Sequence, residues 1–357
     1  MQFCIVIQNC ITATVTTTTL PLRAYSCPTV GAGAGPERGA ERGAELRTAG
    51  NPLGFGSSRS YREPMQPPPD RWTRHTPYSD PGRHRALLGD LDADPAAVCA
   101  AARNVIGHYR EEWAQLDPDR HDEVNSRCLE RILEVDQSRH RGPLTTPRPR
   151  EDRVAGCCRD HTLFAVGAFR EQGVPARSRI GFAGYFTPGF HHDHVVVEHW
   201  TGDRWVRTDP ELPDGDSVGF DARDMPTGAG SPFETAAEVW RGIREERLDP
   251  DTYGVLPESQ WRGTAFVARY VVYEVSHRFG DELLLWDDWD GVHDPDPTWL
   301  DHLAGLLVAA DAGDPGAEER LSRLHAEDAR LRPGLTVVQY SPFGDPPRVV
   351  NLSGPRA

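Results

Sequence analysis

The stretch Gly156-Cys157-Cys158-Arg159-Asp160 decides how this chain folds. It opens a run that is apolar on most helical faces and ends at Gly173, with Pro175 just beyond. A helix that is apolar nearly all round is a buried one, and glycine followed by proline is typical of a helix C-terminus. We therefore predict a buried helix over about 158–171 that begins with a cysteine. The free N–H groups and the helix dipole at that end favour a thiolate and so a lowered cysteine pKa.

Strand patterns follow this helix. Residues 176–185, 193–200 and 204–208 are rich in β-branched and aromatic side chains, and Thr201-Gly202-Asp203 between the last two is typical of a hairpin turn. If the turn is centred between Thr201 and Gly202, the numbers of cross-strand partners sum to 403. His194 and Asp209 satisfy that sum and would lie directly opposite each other.

These residue types carry a known chemistry. An aspartate can hold one nitrogen of an imidazole while the other nitrogen takes the proton of a thiol. A cysteine on a helix beside a His–Asp pair on a hairpin suits formation of a thioester acyl-enzyme from an amide or an ester. Cys158, His194 and Asp209 are therefore the candidate catalytic residues.

In this region the chain resembles the transglutaminase-like superfamily. The resemblance rests on four motifs in order, spanning about 150–212: Gly156-Cys157-Cys158-Arg159-Asp160, Gly173-Val174-Pro175-Ala176-Arg177, His194-Val195-Val196-Val197-Glu198, and Arg204-Trp205-Val206-Arg207-Thr208-Asp209-Pro210. Residues 240–254 and 281–289 are also similar to a helical region that follows this core in bacterial members, but that second resemblance implies no activity.

The resemblance implies an α+β fold, with a papain-like core in which the buried cysteine-bearing helix packs on an antiparallel sheet and further helices flank it. It implies Cys158 as nucleophile, His194 as general base and Asp209 as the orienting acid. Cys157 doubles the nucleophile position, and the family spacing favours Cys158. The family's oxyanion donors include a side chain upstream of the cysteine, which the resemblance does not locate here.

The chain divides into four predicted regions. Residues 1–64 lack core periodicity and are either a disordered tail or a mis-assigned start, with translation beginning near Met65, the interpretation we favour. Residues 65–150 form an N-terminal helical flank, 151–232 the catalytic core, and 233–357 a mostly helical region packed on the core. The patterns predict helices over 94–116, 120–135, 234–247, 260–286, 298–310 and 315–330, with a β-like tail at 335–340 and 348–352.

Composition excludes several function classes. All 39 basic residues are arginine, so no lysine Schiff base, Walker-type phosphate loop or protein-kinase catalytic lysine is available. A net charge of −15 argues against nucleic-acid binding. No apolar run reaches the length of a membrane span, and the seven irregularly spaced cysteines do not form a disulfide framework. We therefore expect a cytoplasmic protein without a cofactor or a metal, whose partners are peptide, amide or ester substrates. Its oligomeric state is left open.

Two other functions stay open. The core could persist as a non-catalytic binding module. His192 and His194 share a strand face by period two and, with Cys157 or Cys158, could ligate zinc. The acidic run from Asp281 to Asp296 lacks the spacing of a calcium loop, so we interpret it as a solvated helix end and loop.

Overall fold

The computed structural model describes residues 70–113, 115–215 and 218–353. The predictions for 1–64 and for Met65 lie outside these ranges. The α-helices within them are α1 (Arg85–Gly89), α2 (Pro95–Val105), α3 (Leu129–Arg139), α4 (Cys158–Glu171), α5 (Ala236–Arg244), α6 (Thr264–Arg278), α7 (Pro297–Asp311) and α8 (Pro315–Glu327).

The strands of the same ranges form three sheets. A parallel pair and a three-stranded antiparallel sheet flank a five-stranded sheet of order β5-β4-β3-β6, in which β7 also pairs with β4. The strands are β1 (Ile106–His108), β2 (Val154–Gly156), β3 (Ala176–Thr187), β4 (Phe190–Trp200), β5 (Trp205–Thr208), β6 (Phe233–Thr235), β7 (Tyr253–Gly254), β8 (Asp287–Asp288), β9 (Thr336–Gln339) and β10 (Arg348–Asn351). The prediction of a mixed helix-and-sheet protein is confirmed.

Helix α4 lies at the centre of this architecture. It packs against β3 and β4 of the large sheet and against helices α1, α2 and α3. Its side chains are buried from Cys158 to Arg170, which explains the lack of a polar face in its sequence. The hydroxyl of Thr162 donates a hydrogen bond of 2.8 Å to the backbone oxygen of Val195, so the helix is fixed directly to β4.

Three helix predictions are wrong at their ends. The side chain of Asp94 accepts a hydrogen bond from Ala97 N and caps α2, but the helix stops at Val105 and the chain continues as β1. The helix predicted over 260–286 ends at Arg278. The helix predicted over 120–135 is instead a 3-10 helix, Pro118–Glu123, followed by α3. Parallel pairing of β1 with β2 takes up residues that the periodicity assigned to one long helix.

The predicted hairpin register is also wrong. β4 and β5 pair Val197 with Thr208 and Trp200 with Trp205, so partner numbers sum to 405 and the loop holds four residues, 201–204. A backbone hydrogen bond from Thr201 N to Arg204 O closes this loop. The error is two residues, and side chains alternate faces with period two. His194 and Asp209 therefore keep a common face and meet as diagonal neighbours.

Buried arginines and carboxylates join the large sheet to the C-terminal helices. Arg179 of β3 is fully buried and contacts Glu198 of β4 at 2.8 Å, Glu274 of α6 at 2.8 Å and Asp311 of α7 at 2.6 Å. These four residues are called the Arg179 network below. A buried charge is tolerated only when it is paired and hydrogen-bonded, so sheet and helices depend on one another.

The acidic run from Asp281 to Asp296 is not a solvated loop throughout. Glu282 is 1% exposed and Asp287 is fully buried. Glu282 pairs with Arg170 at 3.1 Å and Asp287 with Arg127 at 2.6 Å. The expectation was wrong for these residues because their arginine partners are far away in the sequence.

Within the described ranges, no helix has the length and apolar character needed to cross a membrane.

Candidate active site

Cys157 and Cys158 have different positions at the start of α4. Cys157 is the N-cap residue and Cys158 is the first residue of the helix. The Asp160 carboxylate accepts a hydrogen bond of 2.8 Å from Cys157 N, and the Cys157 side chain faces the N–H of Asp160, which completes a capping box. Arg159 pairs with Asp160 at 2.9 Å, so these two residues brace the helix start.

The thiol of Cys158 is buried, with an exposed fraction of 6%. Its pKa lies well above the usual value, because the Cys157 side chain forms a hydrogen bond with it, because it is buried, and because Glu211 and Asp193 are close. The expected lowering of the pKa by the helix N-terminus is therefore outweighed.

His194 and Asp209 are in direct contact. Nε2 of His194 lies 2.9 Å from Oδ2 of Asp209, and both side chains are buried. Burial raises the pKa of Asp209, but the charge of His194 and hydrogen bonds from His194, Tyr185 and Glu211 N outweigh it, so the pKa lies below its usual value. Asp209 is thus an ionised carboxylate that fixes one nitrogen of the imidazole.

The third candidate residue, Cys158, lies on the helix that packs against the strand carrying His194. Among the residues that the structure describes, no hydrogen bond joins Cys158 to His194, but the helix that begins at Cys158 is fixed to the strand that carries His194. Catalytic hydrogen bonds are often long in a free enzyme and tighten only when substrate binds.

An aromatic wall surrounds His194. The rings of Phe186, Tyr185 and Phe233 have centroids 5.1, 6.1 and 6.4 Å from the imidazole. The Tyr185 hydroxyl also donates a hydrogen bond of 2.5 Å to Oδ2 of Asp209. One carboxylate oxygen therefore accepts hydrogen bonds from both the tyrosine and the histidine.

Glu211 lies on the other side of the imidazole. Its Oε2 is 3.9 Å from Nδ1 of His194, and its Oε1 is 3.9 Å from Nδ1 of His161. Burial, then the charges of Glu111 and Asp209, raise the pKa of Glu211 well above the usual value. A carboxyl group that is hard to ionise thus lies next to the nitrogen that would take the thiol proton.

A cavity of about 410 Å³ opens beside this group. Its wall includes His108, His161, Glu111 and Glu211. In the part of the chain that the structure describes, His108, Glu111 and Glu211 are the group whose ligand atoms are close enough to hold a metal ion, all within 4.8 Å of one another. His192, the other histidine of the zinc interpretation, has both ring nitrogens hydrogen-bonded, to Val255 O and to the Thr187 hydroxyl.

Sequence reasoning missed Tyr185, Glu211 and His108. Glu211 is two residues from Asp209, and Tyr185 is on a strand that was predicted, so their elements were known. Which side chains point toward His194 depends on the register and on the approach of β1, and no local pattern contains either. The one signal in the sequence was the carboxyl group of Glu211, directly after Asp209-Pro210.

Comparison with known proteins gives one family match. Residues 122–210 match the family model of the transglutaminase-like superfamily. This segment is similar to the transglutaminase-like core. It contains α4, the hairpin β4–β5 and all three candidate residues, whose roles the match itself does not assign.

One solved structure shares part of the chain's length. It is the crystal structure, at 1.9 Å, of a protein from Cytophaga hutchinsonii described as a candidate cysteine protease; the identity is 17% and the TM-score 0.27. The match covers 39% of this chain and 40% of that protein, so the chain spans well under half of its length. No curated protein is significantly similar to the chain.

Proposed function

We propose that the protein is a cysteine-dependent acyl-transfer enzyme that works through a thioester on Cys158. The observation that carries the proposal is the contact of 2.9 Å between His194 Nε2 and Asp209 Oδ2. It leaves Nδ1 of His194 free to take a proton on the side away from Asp209. The papain-like arrangement, a cysteine helix on an antiparallel sheet, is part of the same proposal.

The first step is attack on an amide or ester carbonyl. As the sulfur of Cys158 bonds to the carbonyl carbon, its proton passes to Nδ1 of His194. The ionised Asp209 stabilises the imidazolium that results. The imidazolium then protonates the leaving amine or alcohol as the carbon–heteroatom bond breaks, and the thioester remains.

In the second step, water or an amine attacks the thioester and returns the thiol. Water gives an amidase or protease, and an amine gives transamidation. Exclusion of water from the acceptor channel would decide between them. Because the chain contains no lysine, an amine acceptor has to be another molecule or the chain's own N-terminus.

The raised thiol pKa favours general-base catalysis over a preformed thiolate–imidazolium pair. A neutral thiol hydrogen-bonded to Cys157 is unreactive until a bound carbonyl brings His194 into play. Cys157 itself is engaged in the capping box, which supports Cys158 as the nucleophile.

The test is trapping of the acyl-enzyme. The full chain is mixed with a library of activated esters and amides, quenched in acid and weighed intact. We expect a single acyl adduct that maps to Cys158, is lost in Cys158→Ser, persists in Cys157→Ser and is at least about 100-fold slower to form in His194→Ala. An adduct that persists in Cys158→Ser, or that forms at the same rate in His194→Ala, overturns the assignment.

The buried, neutral state of Cys158 also favours a second candidate, a non-catalytic binding module that keeps the core as a scaffold. That candidate expects no adduct with any ester or amide, together with retention of a ligand from the same library by equilibrium dialysis.

A further inference from the structure

His108, Glu111 and Glu211 converge at one end of the cavity beside the candidate active site. His108 ends β1, Glu111 follows three residues later, and Glu211 comes from the loop after β5. One ligand atom from each lies within 4.8 Å of the other two, and Nε2 of His108 is 4.0 Å from Oε1 of Glu211. Two segments that are distant in the sequence thus bring one imidazole and two carboxyl groups together.

Two polar atoms of this group have no partner. Oε1 of Glu211 and Nδ1 of His108 are both buried without a hydrogen bond. The nitrogens closest to Oε1, at 3.9 and 4.0 Å, are beyond hydrogen-bond range, and both nitrogens of His161 already contact backbone oxygens of Cys157 and Ile106. Buried polar atoms are rarely left unpaired, and an ion or water at such a place is a common reason.

The arginines of the cavity do not compensate these carboxyl groups. Arg153 is paired with Glu112 at 3.0 Å, and Arg103 is bonded to the backbone oxygens of Pro210 and Leu212. Within the described ranges, Glu111 has no ion pair with an arginine, and the basic residues within 4.0 Å of the Glu211 carboxyl group are histidines alone. The carboxyl groups of the site therefore have no arginine counter-ion.

We propose that His108, Glu111 and Glu211 form a binding site for one divalent first-row transition-metal ion. Imidazole nitrogen and carboxylate oxygen are ligands of such ions, at about 2.0–2.2 Å for zinc. Ligand atoms of a tetrahedral site are then about 3.3 Å apart, so a small inward movement of these side chains closes the site. The cavity leaves room for water at the remaining position.

The site differs from a zinc site built on the cysteines. It uses neither thiol, and its contact with the catalytic candidates runs through Glu211, whose Oε2 is 3.9 Å from His194 Nδ1. A cation held there opposes formation of the His194 imidazolium. If the proposed function is right, the ion inhibits acylation of Cys158, but metal binding does not require that function.

The test uses Co²⁺ and Zn²⁺ on the full chain. We expect one equivalent of Co²⁺ with visible d–d absorption and without a thiolate-to-cobalt charge-transfer band, and one equivalent of Zn²⁺ by calorimetry. His108→Ala and Glu111→Gln should each weaken binding by at least about tenfold. Glu112→Gln is the matched control, because this neighbour lines the same cavity but pairs with Arg153, and its affinity should stay within about twofold of the parent's.

Glu111 is exposed, so its glutamine variant should fold normally. That variant keeps the test decisive even if His108→Ala fails to fold. Absence of binding up to millimolar metal, or unchanged affinity in Glu111→Gln, overturns the proposal. A charge-transfer band that disappears in Cys158→Ser would assign the ion to the thiol instead, and would also overturn it. Loss of acylation with intact metal binding would remove the proposed function and leave the site.

Discussion

Tyr185 donates a hydrogen bond of 2.5 Å to Oδ2 of Asp209, the oxygen that also contacts His194. The tyrosine shares the task of holding the carboxylate, since the remaining oxygen accepts from Glu211 N. A hydrogen bond to a charged group contributes about 1.5–3 kcal/mol. The aspartate is therefore fixed from three directions, and the histidine depends on all of them.

Replacing Tyr185 with phenylalanine should lower the free energy of unfolding by about 2 kcal/mol. It should slow acylation of Cys158 by up to about tenfold, whereas Asp209→Asn should slow it by 10³–10⁴, roughly the effect of removing the orienting acid of a triad. Urea denaturation and ester turnover measure the two effects. Tyr340→Phe, at a position 36% exposed, is the control and should change neither. Equal losses in Tyr185→Phe and Asp209→Asn would contradict this division of roles.

Replacing Cys157 with alanine should make Cys158 more reactive toward an alkylating agent in the absence of substrate. The hydrogen bond that the Cys158 thiol donates to the Cys157 side chain is the largest cause of the raised Cys158 pKa, so its removal lowers that pKa and increases the thiolate fraction. Iodoacetamide labelling between pH 7 and 9, with the modified peptide identified by mass, measures the rate. The cost is loss of a helix cap, about 1 kcal/mol. A slower reaction in Cys157→Ala would show that Cys157 promotes the thiolate.

Glu123 should make the protein sensitive to acid. Burial raises the pKa of Glu123, but hydrogen bonds from Arg120, Arg139 and Ala155 N outweigh it and lower the pKa to about 2. Because the folded pKa is below the unfolded value of about 4.5, this stabilisation is complete above pH 4.5 and is lost as the pH falls toward 2. The free energy of unfolding, measured by denaturant between pH 7 and 3, should fall accordingly.

Glu123→Gln is the matched variant for that experiment. It should lower stability at pH 7 by about 2 kcal/mol and flatten the acid-dependent loss between pH 4.5 and 3. Glu258→Gln, at an exposed position, should leave the profile unchanged. An acid slope that is the same in Glu123→Gln would assign it to other carboxyl groups.

Arg179→Leu should destabilise the protein by about 3–5 kcal/mol, because Glu198, Glu274 and Asp311 would keep buried charge without their common partner. Arg204→Gln removes an ion pair with Asp224 that is exposed on both sides, and should cost under about 1 kcal/mol. Thermal and urea unfolding compare the two. Similar small losses in both variants would mean that the Arg179 network contributes little.

Local sequence patterns were sufficient to predict the helix and the strands that carry the candidate site residues. The apolar run after Cys158 and the glycine beyond it bound α4 correctly, and β-branched residues located β3, β4 and β5 within a few positions. These signals are local, because a helix or strand is encoded by its own side-chain period. His194 and Asp209 meet as the sequence suggested, even though the assumed turn was two residues off.

The features that the sequence did not predict depend on contacts between segments that are distant in the sequence. Asp287 looked solvated because its partner Arg127 lies 160 residues earlier, and burial of a charge is decided by that partner. Glu211, His108 and Glu111 converge because β1 pairs with β2, a pairing that the helical periodicity of 94–116 concealed. The catalytic roles of Cys158, His194 and Asp209 and the bounds of the four predicted regions remain predictions.

The Arg179 network has a practical consequence for expression and engineering. The family match ends at residue 210, yet two of the network's three carboxylates, Glu274 and Asp311, lie beyond it. A fragment cut to the matched segment would keep Glu198 but remove two of the three counter-charges of the Arg179 guanidinium. The smallest unit that can be produced for crystallisation or screening therefore has to include α6 and α7, and any transplant of this site onto another scaffold has to carry those helices with it.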